Sequence, residues 1–288
     1  MSDDRFDVTG RTAVITGASS GIGVHYARGL AARGANVVLA ARRADRLDAL
    51  ASELRENGAR ALAVPCDVTD HDQVEGLLEA ACARFGRVDV MVNNAGTAGD
   101  GGPVPEKLPP ELFEQTVRVN LMGTWFGCQA AGRRMLADGR GGSIINIASF
   151  LGLAGQQDYP IAYQATKAAV VNLTRALAVS WADRGVRVNA IAPGWFPTEM
   201  TEGFFALPNF AESVAEMEPM GRIGDPEELV GPLLFLASDA SGYVTGQTLA
   251  VDGGMSASIG AARHRPEYLA EFAAVVPAGL GERIGATT

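Results

Sequence analysis

The stretch Thr12-Ala-Val-Ile-Thr16, followed at once by Gly17-Ala-Ser-Ser-Gly-Ile-Gly23, decides the fold. Its first half is a short run of apolar and β-branched residues, which predicts a buried strand. Its second half opens a helical pattern that continues to about residue 33. A strand that leads through a glycine-rich turn into a helix presents backbone N–H groups and the positive end of the helix dipole, where a dinucleotide pyrophosphate can bind. Glycines also serve plain turns, but in this context we predict cofactor binding by Gly17, Ser19, Ser20, Gly21, Ile22 and Gly23.

Six further segments have the character of strands, because each is a short apolar or β-branched run next to a turn or a helical pattern. They are residues 36–40, 61–64, 88–92, 143–147, 186–191 and 247–251. Strands that alternate with helices at this spacing form right-handed βαβ units. The sequence therefore predicts an α/β fold with a single Rossmann-type, doubly wound parallel sheet of about seven strands, flanked by helices on both faces.

The expected domain organisation is one catalytic domain over residues 1–254 and a C-terminal extension over residues 255–288. Residues 199–222 are expected to be irregular, and they are aromatic and contain methionine, which fits a mobile lid over a small-molecule site. Residues 266–275 carry apolar side chains at helical spacing. They predict a short helix that packs on a neighbouring subunit or near the lid, with a partly disordered end as the alternative.

Composition narrows the class of protein. The chain has 288 residues, of which 47% are hydrophobic and 20% charged, as in ordinary globular proteins. A net charge of -9 disfavours binding to nucleic-acid phosphates or to anionic membranes. Residues 1–8 lack the apolar core of a signal peptide, and no apolar run approaches the roughly 20 residues that cross a bilayer. We therefore expect a cytoplasmic protein with free thiols at Cys66, Cys82 and Cys128 and no metal site.

Two arginines follow the second predicted strand and bear on the choice of cofactor. A dinucleotide fold that prefers NAD usually places an acid here to hold the ribose 2′-hydroxyl, whereas arginine accommodates the 2′-phosphate of NADP. The chain has Arg42 and Arg43 at this point and no acid. This favours NADP(H) as the cofactor and leaves NAD(H) possible. In the alternative interpretation, the two arginines simply begin a solvated helix.

Small and polar residues follow the next two predicted strands. Asp67 could accept a hydrogen bond from an adenine amine while Val68 packs near the ring, although Asp67 could equally be a turn or cap residue. After the fourth strand, the run Asn93-Asn-Ala-Gly96 places small and amide residues at the carboxyl edge of the sheet, where ligands of such folds bind. We predict that Asn94, Ala95 and Gly96 lie against the cofactor, with mere turn formation as the alternative.

Tyr163 and Lys167 stand four residues apart in an alanine-rich, helix-favouring run, so they share one helix face. A nearby positive charge favours phenolate, which would bring the proton exchange of Tyr163 within reach near neutral pH. Taken alone, such a pair is more often a half-buried ring beside a solvated ammonium. Asn120, in a helical pattern over residues 111–137, is also unusual, because asparagine is a poor helix-interior residue.

Taken in order, these segments resemble the short-chain dehydrogenase/reductase family over about residues 11–254. The resemblance rests on Thr16-Gly-Ala-Ser-Ser-Gly-Ile-Gly23, Asp67, Asn93-Asn-Ala-Gly96, Asn120, Ser149, Tyr163-x-x-x-Lys167 and Pro193-Gly194. It implies that Ser149 positions the substrate oxygen and that Tyr163 exchanges its proton. It further implies that Lys167 acidifies Tyr163 and holds the nicotinamide ribose, and that Asn120 anchors a water leading to Lys167. Pro193, Gly194 and Thr198 would border the cofactor, with Thr198 near the carboxamide of the nicotinamide.

The function implied is hydride transfer between NADP(H) and a secondary alcohol or ketone, a small-molecule substrate. A 3-oxoacyl thioester reductase shares every motif, and a non-catalytic dinucleotide-sensing protein is the alternative of another class. Such sensors usually lose the tyrosine or the lysine, and both are present here. The resemblance also implies a homo-oligomer, either a tetramer or a dimer. Ser149 and Tyr163 are fourteen positions apart, against thirteen in most relatives, so the loop between them is expected to carry an extra residue.

Overall fold

The structure is a computed structural model that describes residues 5–99, 104–157 and 159–258. The predicted helix at residues 266–275 lies outside the described residues. Seven strands form one sheet in the order β3-β2-β1-β4-β5-β6-β7, and every neighbouring pair is parallel. The strands are β1 (Thr12–Thr16), β2 (Asn36–Ala41), β3 (Ala61–Pro65), β4 (Val90–Asn93), β5 (Gly142–Ile147), β6 (Val186–Pro193) and β7 (Thr248–Val251). The predicted doubly wound sheet is confirmed.

Helices cover both faces of this sheet. They are α1 (Ile22–Ala32), α2 (Ala44–Glu56), α3 (His71–Phe85), α4 (Pro110–Val117), α5 (Gly123–Asp138), α6 (Ile161–Trp181), α7 (Glu202–Phe205), α8 (Phe210–Met217) and α9 (Val230–Ala237). Helices α1, α2 and α9 pack on one face, and α3, α5 and α6 pack on the other. Within β1, Ala13 and Ile15 join the first core while Val14 joins the second. Because both faces are covered, the central strands are apolar throughout rather than alternating.

The helical pattern predicted over residues 111–137 is helical in the structure and contains one π-helical turn. Helix α4 ends at Val117, a π-helical turn spans Arg118–Met122, and α5 begins at Gly123. The N–H of Gly123 donates to the carbonyl of Arg118, which is the five-residue spacing of a π turn. The π turn itself was not predicted, because it keeps an almost helical pattern while it inserts one extra residue. Asn120 lies within this turn.

The segment predicted as a lid, residues 199–222, contains two short helices, α7 and α8. The expectation of an irregular segment is therefore wrong in part. Both helices belong to an apolar cluster that also includes Trp195 and Phe150, at the carboxyl ends of β6 and β5. No helix within the described ranges is both long and apolar enough to span a membrane.

Candidate active site

The glycine-rich turn after β1 is packed too closely for a side chain at Gly17 or Gly23. Gly17 and Gly21 have φ angles of 68° and 54°, in the left-handed region that favours glycine. A Cβ on Gly23 would lie 2.3 Å from the carbonyl oxygen of Gly17, and a Cβ on Gly17 would lie 2.8 Å from the Cα of Ala95. The backbone of this turn is thus bare and closely packed at the start of α1. Such a turn fits the pyrophosphate of a dinucleotide, which binds backbone N–H groups at a helix start.

Asn94 holds the turn from the neighbouring strand. Its Nδ2 donates to the carbonyl oxygens of Thr16 and Gly17, at 2.8 and 3.2 Å. The hydroxyl of Thr16 in turn accepts the N–H groups of Asn94 and Ala95, each at 3.1 Å. Asn94 and Ala95 therefore fix the glycine turn in addition to bordering the site. The positioning role of Thr16 was not predicted, although a threonine at a strand end directly before glycine is the signal that could have revealed it.

A cavity of about 450 Å³ runs along the carboxyl edge of the sheet. All but two of the predicted site residues line it, namely Gly17, Ser19, Ser20, Gly21, Ile22, Arg42, Arg43, Asp67, Val68, Asn94, Ala95, Gly96, Ser149, Tyr163, Lys167, Pro193, Gly194 and Thr198. The exceptions, Gly23 and Asn120, lie behind the wall and support residues that line it. Gln115 and Arg118 also line the cavity, and neither was predicted from the sequence as a site residue.

Asp67 and Val68 lie at the part of the cavity that follows β3. The Oδ1 of Asp67 accepts the backbone N–H and the hydroxyl of Thr69, at 2.9 and 2.8 Å. Val68 is 9% exposed and packs against Gly123, where a Cβ would come within 2.8 Å of it. Asp67 is therefore a turn residue and a lining residue at once, so the two predicted interpretations do not exclude each other.

Tyr163 and Lys167 lie on one face of α6, with the ammonium nitrogen 5.5 Å from the centroid of the tyrosine ring. Lys167 is only 4% exposed, and its Nζ donates to the carbonyl oxygen of Ile147 at 2.6 Å. The loop after Ser149 packs tightly on the same helix, since a Cβ on Gly152 would lie 2.6 Å from the carbonyl carbon of Lys167. Ser149, Tyr163 and Lys167 thus meet at one wall of the cavity despite the longer serine–tyrosine spacing.

Burial dominates the electrostatics of this wall. Desolvation raises the pKa of Tyr163, and a hydrogen bond with Ser149 opposes that rise. Desolvation also lowers the pKa of Lys167 to about 8. Burial therefore sets the net direction of the pKa of Tyr163 in the protein's own atoms, while its acidification by Lys167 stays a prediction. The physical reason is that the ammonium packs on the ring and bonds to a carbonyl, while the phenol loses its contact with water.

Asn120 ties three elements together beneath the cavity. It is fully buried, and its side chain exchanges two hydrogen bonds of 2.8 Å with the backbone N–H and carbonyl of Thr97. Its Nδ2 also donates to the hydroxyl of Thr166 on α6, at 3.2 Å. A Cβ on Gly96 would lie 3.4 Å from the Oδ1 of Asn120 and 3.6 Å from the Nζ of Lys167. Asn120 therefore holds the loop after β4 against the helix of the tyrosine and lysine, while its predicted water-anchoring role stays a prediction.

The two arginines after β2 differ in their surroundings. Arg42 is exposed and lines the cavity. Arg43 reaches back over the glycine turn, where its guanidinium donates to the hydroxyls of Ser19 and Ser20, at 3.2 and 2.6 Å. Arg43 thus links the end of β2 to the turn after β1, and positive charge borders the cavity at this corner.

An aromatic cluster that includes Tyr163 packs against the helices of the predicted lid. The ring of Trp195 lies 5.5 Å from that of Tyr159, 5.8 Å from that of Phe204 and 5.2 Å from that of Phe210. Trp195 is 5% exposed, and its indole N–H has no hydrogen-bond partner within the described part of the chain. In the described ranges, no three His, Cys, Asp or Glu side chains gather closely enough to hold a metal ion.

Comparison with known proteins assigns the family. A family model described as enoyl-(acyl carrier protein) reductase matches residues 17–256. The chain is 44% identical over 247 residues to cis-4-hydroxycyclohexanecarboxylate dehydrogenase of Sinomonas cyclohexanicum, covering 86% of this chain and 97% of the relative. It is 41% identical over 262 residues to gluconate 5-dehydrogenase of Gluconobacter oxydans, covering 89% and 98%. It is also 40% identical over 250 residues to a 3-oxoacyl-[acyl-carrier-protein] reductase of Synechocystis, covering 86% and 98%.

Solved structures agree with this assignment. A gluconate 5-dehydrogenase from Burkholderia cenocepacia, in complex with NADP and tartrate, superposes with a TM-score of 0.84 at 39% identity. That similarity covers 89% of this chain and 99% of the other. A short-chain type dehydrogenase/reductase from Mycobacterium marinum superposes with a TM-score of 0.83 at 40% identity, covering 88% and 99%. The predicted family and the prediction of an enzyme are both confirmed, and the chain belongs to the short-chain dehydrogenases/reductases that act on CH–OH groups.

Proposed function

We propose that the protein transfers a hydride between NADP(H) and a secondary alcohol or ketone, with Tyr163 as the acid and base. The observation that carries the proposal is the meeting of Ser149, Tyr163 and Lys167 at one wall of the cavity that also contains the bare glycine turn. A dinucleotide that binds at the turn and extends along the sheet edge would bring its nicotinamide to this wall. Cofactor and substrate would then meet beside a proton donor.

The chemistry follows from the charge that develops on the substrate oxygen. The bound nicotinamide would supply or accept the hydride. During reduction the carbonyl oxygen becomes negative, and the hydroxyls of Tyr163 and Ser149 can both donate hydrogen bonds to it. Tyr163 then gives its proton, and it takes one back during alcohol oxidation. A raised pKa keeps Tyr163 protonated as a donor, and the buried Lys167 ammonium beside its ring stabilises the phenolate once it forms.

The preference for NADP(H) is supported by Arg42 and Arg43 at the end of β2, with no acid there to hold a ribose 2′-hydroxyl. The Burkholderia gluconate 5-dehydrogenase carries NADP in its structure. An L-rhamnose 1-dehydrogenase of Sphingomonas, 39% identical over 247 residues, is named for both NAD and NADP. We propose NADP(H) as the preferred cofactor, with NAD(H) as a weaker alternative.

The substrate class that best fits the site is a small hydroxylated ring or sugar-derived compound. Several relatives are named for such substrates, among them a hydroxycyclohexanecarboxylate and gluconate. Phe196 and Met200 line the cavity that contains Tyr163, and they offer apolar surface against which the face of a ring can pack. We further propose that α7 and α8 act as the lid over this substrate.

A second candidate is reduction of a 3-oxoacyl thioester. It is supported by the Synechocystis reductase, which is 40% identical, and by the description of the matching family model. The same Tyr163 and Ser149 would serve this reaction, because it also reduces a ketone. An acidic carrier protein would need a basic docking surface, and a net charge of -9 works against one.

The test is a panel of cyclic alcohols, sugar acids, their ketones and 3-oxoacyl thioesters, each assayed with NADPH and with NADH. We expect the highest kcat/KM for a cyclic or sugar-derived substrate with the phosphorylated cofactor. A 3-oxoacyl thioester as the best substrate would select the second candidate. Tight binding of the cofactor without turnover of any compound would support a sensing protein and contradict the proposal.

A further inference from the structure

Glu199 follows Thr198 and begins the lid segment, next to the cofactor cavity. It belongs to a cluster of charged side chains there. Its carboxylate accepts hydrogen bonds from Nη1 and Nη2 of Arg43, at 3.0 and 2.9 Å. It also accepts one from Nη1 of Arg46 on α2, at 2.8 Å. The start of the lid segment is therefore tied to the end of β2 by two guanidinium groups.

The donors around Glu199 form a set suited to a phosphate. Arg43 and Arg46 offer planar guanidinium forks, and the Ser20 hydroxyl lies against both Arg43 and the carboxylate. Hydrogen bonds from Arg43, Arg46 and Ser20 lower the pKa of Glu199 to about 2, so it is ionised throughout the neutral range. Two guanidiniums and a hydroxyl are the groups by which proteins hold phosphate monoesters. Here a carboxylate of the chain itself takes that place.

The same donors border the cofactor cavity. Ser19, Ser20 and Arg43 line that cavity, and Ser19 and Ser20 also line the neighbouring surface pocket that contains Glu199. The Nη1–Nη2 edge of Arg43 is bonded to Glu199, so a second anion can reach only its Nε–Nη2 edge, which donates to Ser19 and Ser20. An anion that arrives from the cavity side would therefore share Arg43 with the Glu199 carboxylate, whose negative charge opposes its binding.

We propose that Glu199 is a cofactor-specificity residue, whose carboxylate competes with the ribose 2′-phosphate of NADP(H) for Arg43. This competition reduces the preference of the protein for NADP(H) over NAD(H). The inference rests on the proposed binding of a 2′-phosphate beside Arg42 and Arg43. NAD(H) has no phosphate at this position and leaves the Arg43–Glu199 pair intact. Because Glu199 begins the lid segment, entry of the 2′-phosphate would also weaken the attachment of the lid segment to Arg43.

The test compares Glu199→Gln with a matched control, Glu202→Gln. Glutamine keeps the size and one acceptor oxygen of Glu199 and removes its charge. Glu202 lies three residues further along the lid segment and is exposed, and within the described ranges it has no ion pair. Its change to glutamine therefore removes the same charge from the same segment without freeing Arg43. Circular dichroism of all three proteins checks that they fold alike.

The ligands for the test are adenosine 2′,5′-bisphosphate and 5′-AMP, which differ only in the 2′-phosphate, and calorimetry measures their Kd values without turnover. We expect Glu199→Gln to gain about tenfold in affinity for the bisphosphate relative to 5′-AMP, because one partly exposed competing charge is removed. In Glu202→Gln the relative affinity for the two ligands should stay unchanged. In Glu199→Gln, the KM for NADPH should likewise fall relative to the KM for NADH.

The contrary outcomes separate the two proposals. If the unaltered protein prefers the bisphosphate and Glu199→Gln shows the same preference, Glu199 does not compete, while the choice of NADP(H) stands. A lower preference in Glu199→Gln would mean that the carboxylate orients Arg43 for the phosphate, which also overturns the competition. If neither protein distinguishes the two ligands, no 2′-phosphate is recognised at this corner, and the cofactor proposal fails together with the inference.

Discussion

Replacing Lys167 by methionine should remove a pH dependence of stability that burial of the ammonium creates. Lys167 is 4% exposed, and its pKa falls from 10.5 to about 8 in the folded protein. Between these two values the unfolded chain binds more protons than the folded one, so the stability of the native protein rises with pH. The buried lysine lowers the free energy of unfolding by its full amount below about pH 8 and by little above about pH 10.5.

The size of this effect follows from the two pKa values. A difference of about 2.5 pH units corresponds to about 3.4 kcal/mol, of which about 2.5 kcal/mol develops between about pH 7 and pH 10. Lys167→Met also removes the hydrogen bond to the carbonyl of Ile147, at a cost of about 1–3 kcal/mol. That cost is the same at every pH, so the change in the free energy of unfolding with pH reports only the ionisation of Lys167.

The assay is urea unfolding of the unaltered protein and of Lys167→Met at intervals from about pH 7 to pH 10. The free energy of unfolding of the unaltered protein should gain about 2.5 kcal/mol relative to the variant over this range. Lys107→Met serves as the control, because Lys107 is exposed on a turn before α4 and its loss should leave the slope unchanged. If the free energy of unfolding changed with pH equally in the unaltered protein and in Lys167→Met, the claim that the Lys167 ammonium is buried at a cost to stability would be refuted.

Three further changes test other parts of the account. Gly23→Ala places a methyl group against the Gly17 carbonyl, so cofactor affinity measured by calorimetry should fall at least about tenfold. Gly76 has open space around it, so Gly76→Ala should leave the affinity unchanged. Glu218→Gln should stabilise the protein by about 2.5 kcal/mol more at pH 8 than at pH 5, because burial raises the pKa of Glu218 to about 7 and the unaltered protein loses stability as the pH rises to that value. Denaturant unfolding measures this difference, and an equal effect of the substitution at the two pH values would contradict the prediction. Arg42→Ala should weaken NADP(H) binding selectively, and an unchanged NADPH/NADH ratio of KM values would argue against the cofactor proposal.

Much of the fold was predictable because its signals are local. Each strand is an apolar run and each helix a periodic segment, so the order of elements follows from neighbouring residues. The helical region at Asp225-Pro226 shows how a local signal specifies a boundary. Asp225 accepts the N–H of Glu227, and the Glu228 side chain accepts the N–H of Asp225, as in a capping box. The π turn at Asn120 was missed because apolar spacing changes little across one inserted residue.

The site was predictable in its residue types and less so in its energetics. The spacing of Tyr163 and Lys167 specifies one helix face, which the structure has. Spacing says nothing about how much water reaches each group, and desolvation decides the direction of both pKa shifts. The pairing of Arg43 with Glu199 joins positions 156 residues apart, so no local pattern could indicate it.

The central claim is that the hydroxyl of Tyr163 exchanges a proton with the substrate oxygen, and Tyr163→Phe tests it most directly. Phenylalanine keeps the ring that packs beside Lys167 and removes only the hydroxyl. The measurement is kcat with the best substrate of the panel, together with the Kd of NADPH for the same variant. The account predicts that kcat falls by about 10²-fold or more while the Kd of NADPH changes by less than about threefold. A variant that turns over at the unaltered rate would contradict the account.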